Sequence, residues 1–265
     1  MHKRSLKFAA IALALALSGC GLFPEKIDET KNWSASKLYS EARDELSAGN
    51  YEKAIQHFEK LESRYPFGTY AQQAQMEVAY AHYRMGDQPQ ALAAVERFIK
   101  LHPNHPNVDY MYYLRGLINF NDKVSFLDFL SKQDPSERDP KAARDAFDSF
   151  KQVAERFPDS IYAKDSLARL KYLVNAMAQY EVHVANYYYR RGAYLAAANR
   201  AQLAVTEYRD APAIQEALFI MMKSYDALEL PELRDDAERV LRKNFPNSAF
   251  LAEGSKTRSS WWKFW

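Results

Sequence analysis

His102 and His105 stand at the spacing H-x-x-H, which on one helical turn would bring both imidazoles to one face and suit a zinc ion. Pro103 and Pro106 break the helix that such a pair requires, so no metal is expected there. His57 and His82 stand alone in helical sequence and read as surface or core residues rather than as bases. The chain has one cysteine, Cys20. It cannot form an intrachain disulfide, and no base with an orienting partner is grouped around it for nucleophilic catalysis. There is no glycine-rich phosphate loop and no G-x-S-x-G motif, and the carboxylates are scattered among lysines and arginines as on solvated helix faces. These residues argue against an enzyme.

Cys20 takes its chemistry from what precedes it. His2, Lys3, Arg4 and Lys7 make a basic start, and residues 8–17 form an apolar run without a charge, a secretory signal too short to span a bilayer. Leu17-Ser18-Gly19-Cys20 then resembles the lipobox of bacterial lipoproteins. The resemblance implies cleavage after a signal peptide of residues 1–19. It also implies N-acyl and S-diacylglycerol chains on Cys20, a lipid anchor to the membrane, with no other cofactor. Gly21 follows where an aspartate typically signals retention in the inner membrane, so the same resemblance implies the periplasmic face of the outer membrane.

Loss of residues 1–19 removes Lys3, Arg4 and Lys7, lowering the 36 basic side chains to 33 against 34 acidic ones, a net charge of −1. A chain so nearly neutral lacks the basic face that nucleic acid demands, and nucleic acid is not an expected partner. With no second cysteine, stability in an oxidising compartment must come from packing.

Packing is legible as a repeat. In "EARDELSAGNYEKAIQHFEKLESRYP" the residues Ala42, Gly49, Tyr51, Ala54, Phe58, Leu61 and Pro66 fall at the offsets of the tetratricopeptide pattern. Small residues allow two antiparallel helices to touch, glycine turns the chain between them, and proline stops the second. A second copy carries Ala79, Gly86, Ala91, Val95, Phe98 and Pro103 at the same offsets. A third has Gly116, Ala146, Phe150, Val153 and Pro158, with an 18-residue insertion at about 121–139. A fourth carries Ala185, Gly192, Tyr194, Ala197 and Tyr208, and a fifth, from about Pro212 to Pro246, loses the alanine and phenylalanine positions. Between Ser160 and Arg191 no glycine or proline occurs, and Asp159-Ser160 can cap a start, which predicts one helix of roughly 32 residues.

The expected architecture is all-α, an α-solenoid of five tetratricopeptide-like helix-turn-helix repeats. A lipidated linker spans 20–33, repeats one to three occupy 34–158, the long helix and repeats four and five occupy 159–250, and residues 251–265 form an aromatic and basic tail. In that tail Trp261, Trp262, Phe264 and Trp265 crowd beside Lys256, Arg258 and Lys263. A bilayer interface is the favoured place for it, with a cap on repeat five or a seat in a groove as the other fates.

A solenoid turns the first helix of each pair toward a concave face. With the small position eighth in the helix, the second, fifth, ninth, twelfth and thirteenth positions point into the groove. These include Tyr39 and Arg43 in repeat one, Met76, Tyr80, Tyr83 and Arg84 in repeat two, and Tyr110, Tyr113 and Phe120 in repeat three. An aromatic groove with arginines suits an extended peptide bearing aromatic side chains, the arginines pairing a terminal carboxylate. The same tyrosines can also serve simply to pack between repeats.

"RYPFGTYAQQ" at 64–73, "HPNVDYMYYLRGL" at 105–117, "DPSERDPKAARDAF" at 134–147 and "RRGAYLAAANR" at 190–200 resemble the BamD family of lipoproteins, part of the outer-membrane β-barrel assembly machine. The resemblance runs from the lipobox to about Pro246, while "KTRSSWWKFW" has no counterpart in it. It implies a scaffold and substrate receptor that binds the C-terminal signals of unfolded outer-membrane β-barrel precursors. Arg64 and Tyr65 of the first motif join the groove on this basis. The periplasmic domain of BamA is the implied partner of the C-terminal repeats, with Arg200 of "AAANR" as the polar contact, and accessory Bam lipoproteins engage the surface. The competing class is an envelope lipoprotein that acts on or regulates peptidoglycan metabolism.

Overall fold

Small residues at fixed offsets become a stack of helices. The computed structural model describes residues 28–120 and 140–251, among which there are ten α-helices. Cys20, the insertion at 121–139 and the SSWWKFW tail lie outside the described residues. Repeat one is α1 (Ala35–Ser47) and α2 (Tyr51–Arg64), and repeat two is α3 (Thr69–Met85) and α4 (Gln88–Leu101). Repeat three is α5 (Val108–Phe120) and α6 (Pro140–Arg156), repeat four α7 (Ala163–Arg190) and α8 (Tyr194–Glu207), repeat five α9 (Ile214–Ala227) and α10 (Pro231–Asn244). Each helix packs on the next, and first helices also touch first helices, α1 on α3, α3 on α5 and α7 on α9. This is the α-solenoid that the repeats predict.

Ala42, Ala54, Ala79, Ala91, Ala185 and Ala197 are all fully buried where helices approach, with Phe58 and Phe98 filling the space behind. Gly49 and Gly86 turn the chain at φ +82° and +80°, a region that costs other residues steric strain. Repeat five makes the equivalent turn without a glycine, holding Glu229 at φ 58°. The position filled by alanine in its neighbours holds Arg234, which bridges Asp226 and Asp235 at 2.9 Å each.

Repeat three achieves contact with a glycine instead. A Cβ on Gly116 would stand 2.6 Å from Cε1 of Phe150, whose ring is wholly buried. Only a bare α-carbon lets α5 and α6 meet at that ring.

The long helix α7 has 28 residues and begins at Ala163, three residues later than Ser160. The Ser160 hydroxyl donates to Asp109 of α5 at 2.6 Å and accepts from the Tyr162 amide at 3.1 Å. It is thereby held in a turn outside the helix. Among the described residues no helix is long and apolar enough to cross a membrane.

Candidate functional site

First helices turned to one side leave a cavity of about 860 Å³. Arg43 and Ser47 from α1, Tyr51 from the start of α2, and Met76, Glu77, Tyr80 and Arg84 along α3 form one part of its wall. Asp109 and Tyr110 from α5 and the turn Asp159–Tyr162 before α7 close the other. Three repeats and the α6–α7 turn thus share one hollow, large enough for several side chains.

Its charged groups are mostly hydrogen-bonded within the chain. Arg43 pairs with Glu77. Asp109 accepts the Ser160 hydroxyl at 2.6 Å and the Tyr110 amide at 2.8 Å. Arg84 donates to the Tyr80 hydroxyl at 2.6 Å and lies over the rings of Tyr51 and Tyr80, 5.4 and 5.6 Å from their centroids. Burial raises the Tyr110 phenol well above its ordinary value, with Glu77 adding to the effect, so it stays protonated at any physiological pH. The wall is aromatic and hydrogen-bonding.

Of the groove residues expected from sequence, Arg43, Met76, Tyr80, Arg84 and Tyr110 come together in this wall. Tyr39 is not in the wall; its ring packs tilted against Phe58 and Tyr70, with centroids 5.8 and 5.4 Å away. Tyr83 stands 6.5 Å from the Tyr80 ring. Tyr113 packs inward, stacked on Tyr162 at 4.7 Å with its hydroxyl donating to Asp165 at 2.8 Å; burial and that carboxylate push its phenol up to about 12. Phe120 packs between repeats, edge-on to Phe150 at 6.0 Å and to Tyr172 at 5.5 Å, with the Arg169 guanidinium 4.8 Å from its centroid.

Arg64 and Tyr65 are placed elsewhere. Arg64 binds Asp28 and both the carbonyl and the hydroxyl of Thr30, while the Tyr65 hydroxyl donates to the Trp33 carbonyl at 2.9 Å. Together they strap the segment before α1 onto α2. Trp33 stacks on His57 in the same strap, 6.0 Å between centroids. The hydroxyl of Thr30 and then the ammonium of Lys60 hold the Asp28 carboxyl down, from 3.8 to about 2. A carboxyl whose folded value is depressed stabilises above its unfolded value and loses that contribution as pH falls through the folded one. Tryptophan fluorescence and protease access at residues 28–33 should therefore change between pH 3.8 and about 2, and Asp28→Asn should remove that transition.

Arg200, on α8, donates to Glu181 of α7 at 3.1 Å, with 43% of its side chain exposed against 8% for the carboxylate. His102 bonds Gln75 at 3.0 Å, His105 accepts from the Asn107 amide at 3.1 Å, and both rings pack on Phe98. Tyr51, Glu77, Asp109 and Ile161 join the wall without having been singled out for the groove by sequence. Glu77 sits one register step from Met76, and Tyr51 opens a second helix, outside the count along first helices; Asp109 and Ile161 precede or open their helices, where a count along a helix gives no signal.

A family model described as outer membrane lipoprotein, YfiO, matches residues 31–241. A protein of Neisseria meningitidis serogroup B named outer membrane protein assembly factor BamD is 46% identical over 259 residues, covering 96% of this chain and 97% of its own. Another of that name from Vibrio cholerae serotype O1 is 36% identical over 242 residues, covering 90% of this chain and 99% of its own. A crystal structure of MamA protein aligns over 85% of this chain and 94% of its own at 14% identity, with a TM-score of 0.38. That overlay is too loose to bear on the fold, which stands on the helix pairing itself.

Proposed function

The chain belongs to the YfiO family of outer membrane lipoproteins and acts in outer membrane protein assembly, and we propose that it does so as a non-catalytic scaffold and substrate receptor. On this reading a lipid on Cys20 holds it at the periplasmic face of the membrane, and the hollow of repeats one to three receives unfolded β-barrel precursors. The observation that carries the reading is the single cavity that joins Arg43, Tyr80 and Arg84 to Tyr110. An extended segment crossing three first helices can lay alternate aromatic side chains against these rings while its backbone stays in water.

Repeats four and five are left for a second partner, the periplasmic domain of BamA. Arg200 uses one donor on Glu181 and keeps an exposed guanidinium edge for an acidic residue of that domain. Accessory lipoproteins of the same machine would use the remaining surface.

Membranes solubilised in mild detergent, with the full chain as bait, test the reading. The expected result is a large barrel protein bound in stoichiometric amount, and Cys20→Ser should move the chain from the membrane to the soluble fraction without unfolding it. Cell-wall fragments bound in place of the barrel protein would replace the reading with a role in peptidoglycan metabolism.

A further inference from the structure

Three charged groups in the cavity wall, Arg84, Asp109 and Asp159, have no ionic partner among the described residues, and the arginine lies at the opposite end from the two aspartates. Arg84 is in the last turn of α3 and is met only by phenols and ring faces. Asp159 lies in the turn before α7, next to the first turn of α5, which carries Asp109. Between them the remaining arginine, Arg43, is neutralised by Glu77.

Resting on the reading of the cavity as a peptide receptor, we propose that Arg84 holds the carboxylate of the occupant's last residue, so that the groove accepts a chain end in one direction only. A phenol orients a guanidinium without neutralising it. The Tyr80 hydroxyl takes one of five N–H donors and leaves the fork with donors for a carboxylate. The rings of Tyr51 and Tyr80 already flank that fork, so an aromatic last residue would find ring faces beside the charge that holds its carboxylate. At the other end Asp159 and Asp109 repel a carboxylate. There Ile161 lines the cavity with 84% of its surface exposed, an apolar contact for a residue further from the end. Like-charge rejection at one end and pairing at the other fix direction, since a reversed chain would place its carboxylate on aspartates and its apolar stem on Arg84.

The test uses the full chain and two synthetic peptides of one sequence ending in phenylalanine, one a free acid and the other an amide, followed by fluorescence anisotropy. Amidation should weaken binding to the unaltered protein about tenfold, the size of a lost charge-assisted hydrogen bond at a partly exposed site. Arg84→Met should bind both peptides equally and about as weakly as the unaltered protein binds the amide, while Arg84→Lys keeps part of the discrimination. A photoreactive residue next to the peptide's C-terminus should label α3, and one at its N-terminal end should label the turn before α7. Equal binding of acid and amide to the unaltered protein, or the reversed labelling pattern, overturns the assignment of Arg84 while leaving the receptor standing, provided a label still enters the cavity. If neither peptide binds, or if labels fall outside the cavity, the receptor reading falls and Arg84 with it.

Discussion

Gly116→Ala lowers stability by about 1–3 kcal/mol and Phe150→Ala by about 3–5 kcal/mol, both read as urea or thermal unfolding followed by circular dichroism. The two numbers have different origins. An added methyl on Gly116 meets the Phe150 ring at 2.6–2.8 Å, and that ring has no free side to move into, since it is wholly buried against Tyr113, Phe120 and Arg169. Deleting the ring instead leaves a void lined by those same groups. The pair should therefore couple: Phe150→Leu in the Gly116→Ala background recovers part of the loss, a non-additivity expected of residues in direct contact. Unchanged unfolding of Gly116→Ala would mean that α5 and α6 separate without cost, and the close approach would explain nothing.

Arg200→Ala costs about 1.5–3 kcal/mol before any partner is considered, because it strips the nearly buried Glu181 carboxylate of its counterion. The loss stays below that of a fully buried pair because Arg200 is 43% exposed and water reaches the pair. Arg200→Ala combined with Glu181→Gln should regain most of the stability, since a neutral amide tolerates its site without an ionic partner. That double variant separates two roles which the single variant confounds. If it melts normally yet loses the partner domain, the exposed edge of Arg200 makes the contact; if binding returns with stability, the arginine serves only to hold α8 on α7.

Repeats two and three could be read from sequence because steric rules there are local. Ala79 and Ala91, or Gly116 and Ala146, declare a close helix approach by size alone. The start of α7 was not legible, because Ser160 has the chemistry of a helix cap and is diverted by Asp109, 51 residues earlier in the chain. Arg64 and Tyr65 stand in a motif that reads as groove, yet their partners are Asp28, Thr30 and Trp33, more than 30 residues upstream. Periodicity along a helix identifies which face a residue occupies. It says nothing of which distant segment covers that face, and Asp109 and Ile161 entered the cavity wall through the same kind of meeting.

The unbroken length of α7 gives the molecule a lever. Its N-terminal end is attached to the turn that supplies Ile161 and Tyr162 to the cavity, and further along it carries Glu181, on which Arg200 rests. At 1.5 Å per residue its 28 residues make a rod about 42 Å long, so a tilt of about 5° at Tyr162 swings the far end by about 4 Å. The helix holds neither glycine nor proline, the usual sites of a sharp kink. A tilt of that size would displace the end next to α8 by more than the length of a hydrogen bond.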